Sequence, residues 1–195
     1  MRKKLYKTIR RKIDSSIEKK RVSYVFHDSG GAASFNTQED SYEDVLKNAK
    51  FALHVSKLNG KNTFTPYSED EYLSYIRRID IQEELRKCVE NDFKGFEVYY
   101  QPIMKPQTNT LYGSEALIRW HSEKYGFMSP VDFVPLLEES ALIIPLGKWI
   151  IENAVRQCKA WVSVYPDFIM NINLSFVQII KSDNFKRRGR ITGTV

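Results

Sequence analysis

Glu115 and Arg119 stand four residues apart in Gly113-Ser114-Glu115-Ala116-Leu117-Ile118-Arg119-Trp120. Read as a β-strand, this stretch alternates its side chains between two faces. Leu111, Gly113, Glu115, Leu117 and Arg119 fall on one face, and Tyr112, Ser114, Ala116, Ile118 and Trp120 on the other. A carboxylate and a guanidinium on one face of an otherwise apolar strand need a reason, because a buried charge is costly unless paired or bound to metal. A carboxylate ligand for a hard cation beside a guanidinium ligand for phosphate would supply it. Two further strand patterns carry polar groups. In Tyr99–Ile103 the residues Tyr99, Gln101 and Ile103 share a face, and in Phe168–Ser175 so do Ile169, Asn171, Asn173 and Ser175. If these faces converge, Glu115 and Asn173 could hold one divalent cation through oxygen. Two plainer readings stay open: Glu115 and Arg119 as a structural ion pair, and Asn173 as an amide closing a strand end by hydrogen bonding.

The elements that would position these residues are legible in outline. Phe96–Met104 and Thr110–Trp120 read as strands, Pro130–Ser140 as a helix with proline near its start, and Gly147–Val164 as a long helix. In that helix Ile150, Ile151, Ala154, Val155, Cys158 and Trp161 form the buried side. Phe168–Ser175 is the next strand. Helices covering a mainly parallel sheet imply an α/β architecture. Upstream, residues 2–20 read as a basic amphipathic helix with Leu5, Ile9, Ile13 and Ile17 four apart. Val22–Phe26 has a strand pattern and 28–33 carries turn chemistry. A helix capped by Ser41 should run to Leu58 and stop at Asn59-Gly60. Thr63–Tyr67 reads as a strand. Residues 69–91 form a connector, one amphipathic helix or two with a break near Asp80.

Five blocks in order over residues 93–180 resemble the EAL domain, the bacterial phosphodiesterase family that cleaves cyclic di-GMP. They are Tyr99–Ile103, Glu115–Leu117, Arg119-Trp120, Gly126–Glu139 and Asn171–Ser175. The resemblance implies a modified TIM-type barrel with active residues at strand ends. It also implies that Glu115 and Asn173 are ligands for Mg²⁺ or Mn²⁺, and that Gln101, Leu117 and Arg119 contact the dinucleotide. The closing part of GGDEF domains, which make cyclic di-GMP, is similar to Ser41–Leu53 followed by Ser56–Asn62. Lys57 and Lys61 match basic positions there; solvated helix-end lysines are the plainer reading. The organisation expected is therefore 1–68 as part of a GGDEF-like domain, 69–92 as connecting helix, 93–180 as the opening part of an EAL domain, and 181–195 as a basic tail. About three barrel strands are expected.

The resemblance fades after Gln178. The family's later glutamates, its Asp-Asp-Phe-Gly block and the lysine that follows do not occur. The expected function is EAL-family hydrolysis of cyclic di-GMP to pGpG, with this chain, a truncated form, inactive alone. The alternatives are a non-catalytic cyclic di-GMP-binding or protein-interaction module, or a gene relic; a homodimer or a complementing EAL fragment is a possible partner.

Composition narrows the classes. The 195 residues are 42% hydrophobic and 28% charged, which reads as globular rather than disordered. The net charge of +6 is concentrated at the ends, leaving the middle acidic. Without aromatic interleaving this reads as solvated charge, not a nucleic-acid surface. No run approaches the roughly 18 apolar residues of a membrane span. Cys88 and Cys158 lack metal-ligand spacing and read as reduced thiols of a cytoplasmic protein. His27, His54 and His121 form no ligand motif.

Overall fold

The computed structural model describes residues 2–18, 28–35 and 41–181. The chain divides into two compact units, Met1–Arg77 and Arg78–Val195. The strand expected at Val22–Phe26 and most of the basic tail lie outside the described residues.

The first unit contains α1 (Arg2–Glu18), β1 (Gly30–Ala32), α2 (Tyr42–Leu58) and β2 (Phe64–Pro66). Helix α2 begins as its sequence dictates: the Ser41 hydroxyl accepts the Asp44 N–H, and Glu43 and Asp44 occupy the positive first turn. Its Asn59 cap closes on Val55. The stretch read as a turn at 28–33 is instead a strand, because β1 pairs parallel with β2, Gly30 opposite Phe64. The glycines serve close packing. A Cβ on Gly31 would stand 2.1 Å from the Leu53 backbone nitrogen and 2.4 Å from the Ala49 oxygen, so only glycine lets α2 lie on this strand. Ser56, fully buried, donates to the Thr63 carbonyl at 2.5 Å and locks the end of α2 to β2.

Helix α3 runs unbroken from Glu69 to Glu90, without the break considered near Asp80. The second unit then holds β3 (Phe96–Lys105), β4 (Thr110–Ser122), β5 (Gly126–Met128), α4 (Pro130–Glu139), α5 (Ile143–Val162), β6 (Ile169–Ile172) and α6 (Phe176–Lys181). The expectation of a mainly parallel sheet is corrected here. Strands β3 and β4 are antiparallel, as are β4 and β5; among the described residues of this unit only β4 and β6 run parallel. The reason is connection length: the short turn between Lys105 and Thr110, closed by the Asn109 N–H on the Lys105 carbonyl, can join only antiparallel strands. Asn109 takes the left-handed conformation that asparagine tolerates (φ 51). The parallel pair is bridged by the helices α4 and α5. With β5 added, the sheet has four strands rather than three.

One face of this sheet is the core. Phe96, Trp120, Met128, Phe133, Leu136, Leu137, Ile143, Leu146 and Ile150 pack together with Ile81 and Leu85 of α3. Trp120 is fully buried between Phe96 (ring centroids 5.9 Å) and Phe133 (5.6 Å). Val155, read as part of the buried side of α5, is 57% exposed. A bulge in β4 corrects a second reading. The register slips between Ile103 and Met104, leaving Tyr112 without a partner and pairing Leu111 with Met104. Leu111 therefore turns to the helix-covered side, where it lines a cavity with Tyr100, Pro102 and Trp161. It does not share the face of Glu115.

Candidate functional site

The open face of the sheet carries the polar residues singled out above. Direct pairing across β3 and β4 places Gln101 opposite Glu115, Tyr99 opposite Leu117, and Glu97 opposite Arg119. Parallel pairing places Asn171 of β6 opposite Glu115. With a side-chain period of two, all of these occupy one face. The buried alternates of β4, Ser114, Ala116, Trp120 and Ser122, anchor the strand from behind. Ser114 donates to the Gln101 carbonyl at 3.0 Å, fixing the hairpin at the level of Glu115.

Strand β6 ends at Ile172, and Asn173 is the next residue. Its Nδ2 donates to Glu115 Oε1 at 2.6 Å. Residues 58 positions apart thus meet through the β4–β6 pairing. Arg119 makes a different set of contacts. Its guanidinium lies over the Tyr99 ring, 5.6 Å from the centroid, and Nη1 donates to the Ile118 carbonyl at 2.9 Å. Glu115 and Arg119 form no ion pair, since four residues of extended chain separate their Cα atoms by about 13 Å. Both are half-buried, while Gln101 and Asn173 are exposed.

Three residues that sequence reasoning did not select hold the Asn173 loop. The Ser175 hydroxyl donates to Glu138 Oε1 at 2.6 Å, and its backbone N–H donates to Gln178 Oε1 at 2.9 Å. Gln178 is buried although polar. The Glu-Glu pair at 138–139 was visible in the sequence, but as acids on a helix surface with nothing to name their partners.

The donor set is one carboxylate and one amide. Both suit a hard divalent cation, which prefers oxygen ligands. The amide meets that need once a half-turn puts Oδ1 where Nδ2 now points. Among the described residues no cluster of three or more His, Cys, Asp or Glu could hold a metal. His54 and His121 contact aromatic rings, Tyr75 and Phe127. Cys88 and Cys158 are unpaired, and burial pushes the Cys88 thiol up, making it a poor nucleophile. Among the described residues no helix is long and apolar enough to cross a membrane.

Comparison with known proteins converges on the same segment. The model of the EAL domain family matches residues 81–190. PdeR of Escherichia coli K12, a cyclic di-GMP phosphodiesterase, is 31% identical over 137 residues, covering 69% of this chain and 20% of its own. MucR of Pseudomonas aeruginosa, a bifunctional diguanylate cyclase/cyclic di-GMP phosphodiesterase, is 26% identical over 149 residues, 76% of this chain and 22% of its own. That match is longer than 81–190, and only five residues follow 190, so it reaches upstream of residue 81. Among solved structures, the EAL enzyme Bd1971 with cAMP and cyclic di-GMP bound superposes with a TM-score of 0.51 and 26% identity, over 76% of this chain and 39% of that one. The chain spans about a fifth of the length of the curated relatives it matches.

Proposed function

The chain belongs to the EAL domain family, and on that premise we propose that its open sheet face is the cyclic di-GMP-binding and cation-binding face of a cyclic di-GMP phosphodiesterase. The observation that carries this reading is the contact of Asn173 with Glu115, 2.6 Å across the parallel strands. Glu115 and Asn173 would supply oxygen ligands to Mg²⁺ or Mn²⁺. Arg119, preorganised over Tyr99, clamps a phosphate of the dinucleotide. Gln101 and Leu117, flanking Glu115 and Tyr99, contact the nucleotide from either side. A divalent cation bound here neutralises phosphate charge and lowers the pKa of its water.

Two protein donors would leave room for water and phosphate oxygens at a cation, so cation and nucleotide would favour each other's binding. For the 195-residue chain by itself we favour the alternative of a non-catalytic cyclic di-GMP-binding module, binding without turnover. The first unit we read as part of a GGDEF-like domain, supported by the capped helix ending at Asn59-Gly60 and by the upstream reach of the MucR match. The β4–β6 pair with its helical crossover we read as the start of a TIM-type barrel. We also read the setting as cytoplasmic, where Cys88 and Cys158 would stay reduced.

Linkage between cation and nucleotide tests the reading. The Kd of cyclic di-GMP is measured by equilibrium dialysis in Mn²⁺ and in EDTA. Wild type binds more tightly in Mn²⁺, and Glu115→Gln shows the same affinity in both. Equal affinities for wild type would refute the cation site.

A further inference from the structure

We infer that Glu138 and Glu139, at the end of α4, hold Asn173 against Glu115 and tie that placement to helix α3. The inference rests on the Glu115–Asn173 pair being the functional pair. Asn173 lies on the exposed stretch between β6 and the short α6, so its own backbone is not held by the sheet. The restraint comes two residues later. The Ser175 hydroxyl donates to Glu138 at 2.6 Å while accepting the Val177 N–H at 3.2 Å. The Ser175 N–H is bound by buried Gln178 at 2.9 Å. Gln178 in turn sits where a side chain on Gly147 of α5 would be: a Cβ there would stand 1.7 Å from Nε2. Ser175 is thus fixed from both α4 and α5, and Asn173 is positioned through it.

Successive residues on an α-helix point about 100° apart. Glu138 and Glu139 therefore reach different neighbours from one turn. Glu138 takes the Ser175 loop. Glu139 takes α3: Arg78 Nη2 bridges both of its carboxylate oxygens, and Gln82 Nε2 adds a longer bond at 3.4 Å. The same turn of α4 is thereby shared between α3 and the loop carrying Asn173. A shift of α3 along or away from α4 pulls on Glu139, moves Glu138 with it, and changes the Glu115–Asn173 distance. Glu138, Glu139 and Ser175 are positioning residues; none reaches the face where substrate would lie.

The test uses the side-chain amide of Asn173 as its reporter, in the full ¹⁵N-labelled chain without cation or nucleotide. It therefore reads the relay independently of whether the face binds cyclic di-GMP. The Asn173 signal pair is assigned by its loss in Asn173→Ala. In wild type its exchange with water is slow; in Ser175→Ala and Glu138→Ala it becomes faster by about tenfold, as loss of a bond to a charged group implies. Ser175→Thr and Glu138→Gln, which keep a donor and an acceptor, restore slow exchange. Arg78→Ala, at an exposed site, shifts the Asn173 signals in the same direction by a smaller amount. Thermal melting of each variant separates these changes from unfolding. Asn173 signals identical to wild type in folded Ser175→Ala or Glu138→Ala would overturn the inference. Signals unmoved in Arg78→Ala would overturn the link to α3.

Discussion

Arg119 and Glu115 share a strand face, yet the strand itself keeps them from neutralising each other, and each remains available to a ligand. The guanidinium is held over Tyr99 and by one Nη1 bond to the Ile118 carbonyl rather than by a carboxylate, which leaves its other N–H donors for phosphate. Arg119→Ala should weaken cyclic di-GMP binding by about ten- to a hundredfold, the worth of one or two charge-assisted hydrogen bonds. Arg119→Lys should recover only part of that, because an ammonium keeps the charge and loses the planar pair of donors. Titrations of the two variants beside wild type check both statements. Alternation alone put Gln101, Glu115, Leu117 and Arg119 on one face, because a period of two survives as long as pairing is regular. It misplaced Leu111, because the bulge at Tyr112 adds a residue that no sequence pattern announces. It also put Ser175 on the strand face of Asn173, whereas β6 ends at Ile172 and Ser175 binds Glu138. Their hydrogen bond joins a loop to a helix 37 residues away, and such a pair leaves no spacing signal.

At the scale of elements, close approach decides more than propensity. The glycine-rich β1 reads as a turn and is a strand because α2 lies directly on Gly31. Gly31→Ala should therefore destabilise the first unit by about 1–3 kcal/mol, the usual cost of overpacking, measurable as a lowered denaturant midpoint. Helix α5 starts at Ile143, four residues before its expected start, since Pro145 falls in the first turn, where backbone N–H groups have no helical partner anyway. Helix α3 is held to the β4–β5 turn by Asp80, which accepts from Lys124 Nζ at 2.5 Å and from the Tyr125 hydroxyl. The hydrogen bond from Lys124, with that from Tyr125, holds the Asp80 carboxyl below its usual 3.8. A carboxylate whose folded pKa is depressed adds stability above its unfolded pKa and loses it as pH falls through the folded value. Wild type should thus be more stable than Asp80→Asn near neutral pH, and that advantage should shrink once pH falls below the ordinary carboxyl range and be gone below the depressed folded value. Melting temperatures across an acid series provide the check.

For the molecule as a whole, the sequence made the family legible, because its motifs are local patterns; the boundary between the compact units, Arg77 to Arg78, falls inside the helix read as the connector 69–92. Strand direction was less legible: the alternation of strands and helices pointed to a mainly parallel sheet, and the short hairpin between Lys105 and Thr110 imposed an antiparallel opening. Phe176 (72% exposed), Ile179 and Ile180 on α6, with Ile169 and Leu174 beside it, form an apolar area at the end of the sheet beyond β6. Such an area favours association. Sedimentation velocity should show self-association that rises with protein concentration and weakens in Phe176→Ser. The central claim is that the face of Glu115, Arg119 and Asn173 receives cyclic di-GMP together with a divalent cation. Calorimetric titration of cyclic di-GMP into the folded chain in Mg²⁺, followed by a chromatographic check for pGpG, tests it most directly. The account predicts saturable micromolar binding that Arg119→Ala abolishes or greatly weakens, and no pGpG. Folded protein giving no binding heat, or binding unaffected by Arg119→Ala, would contradict it.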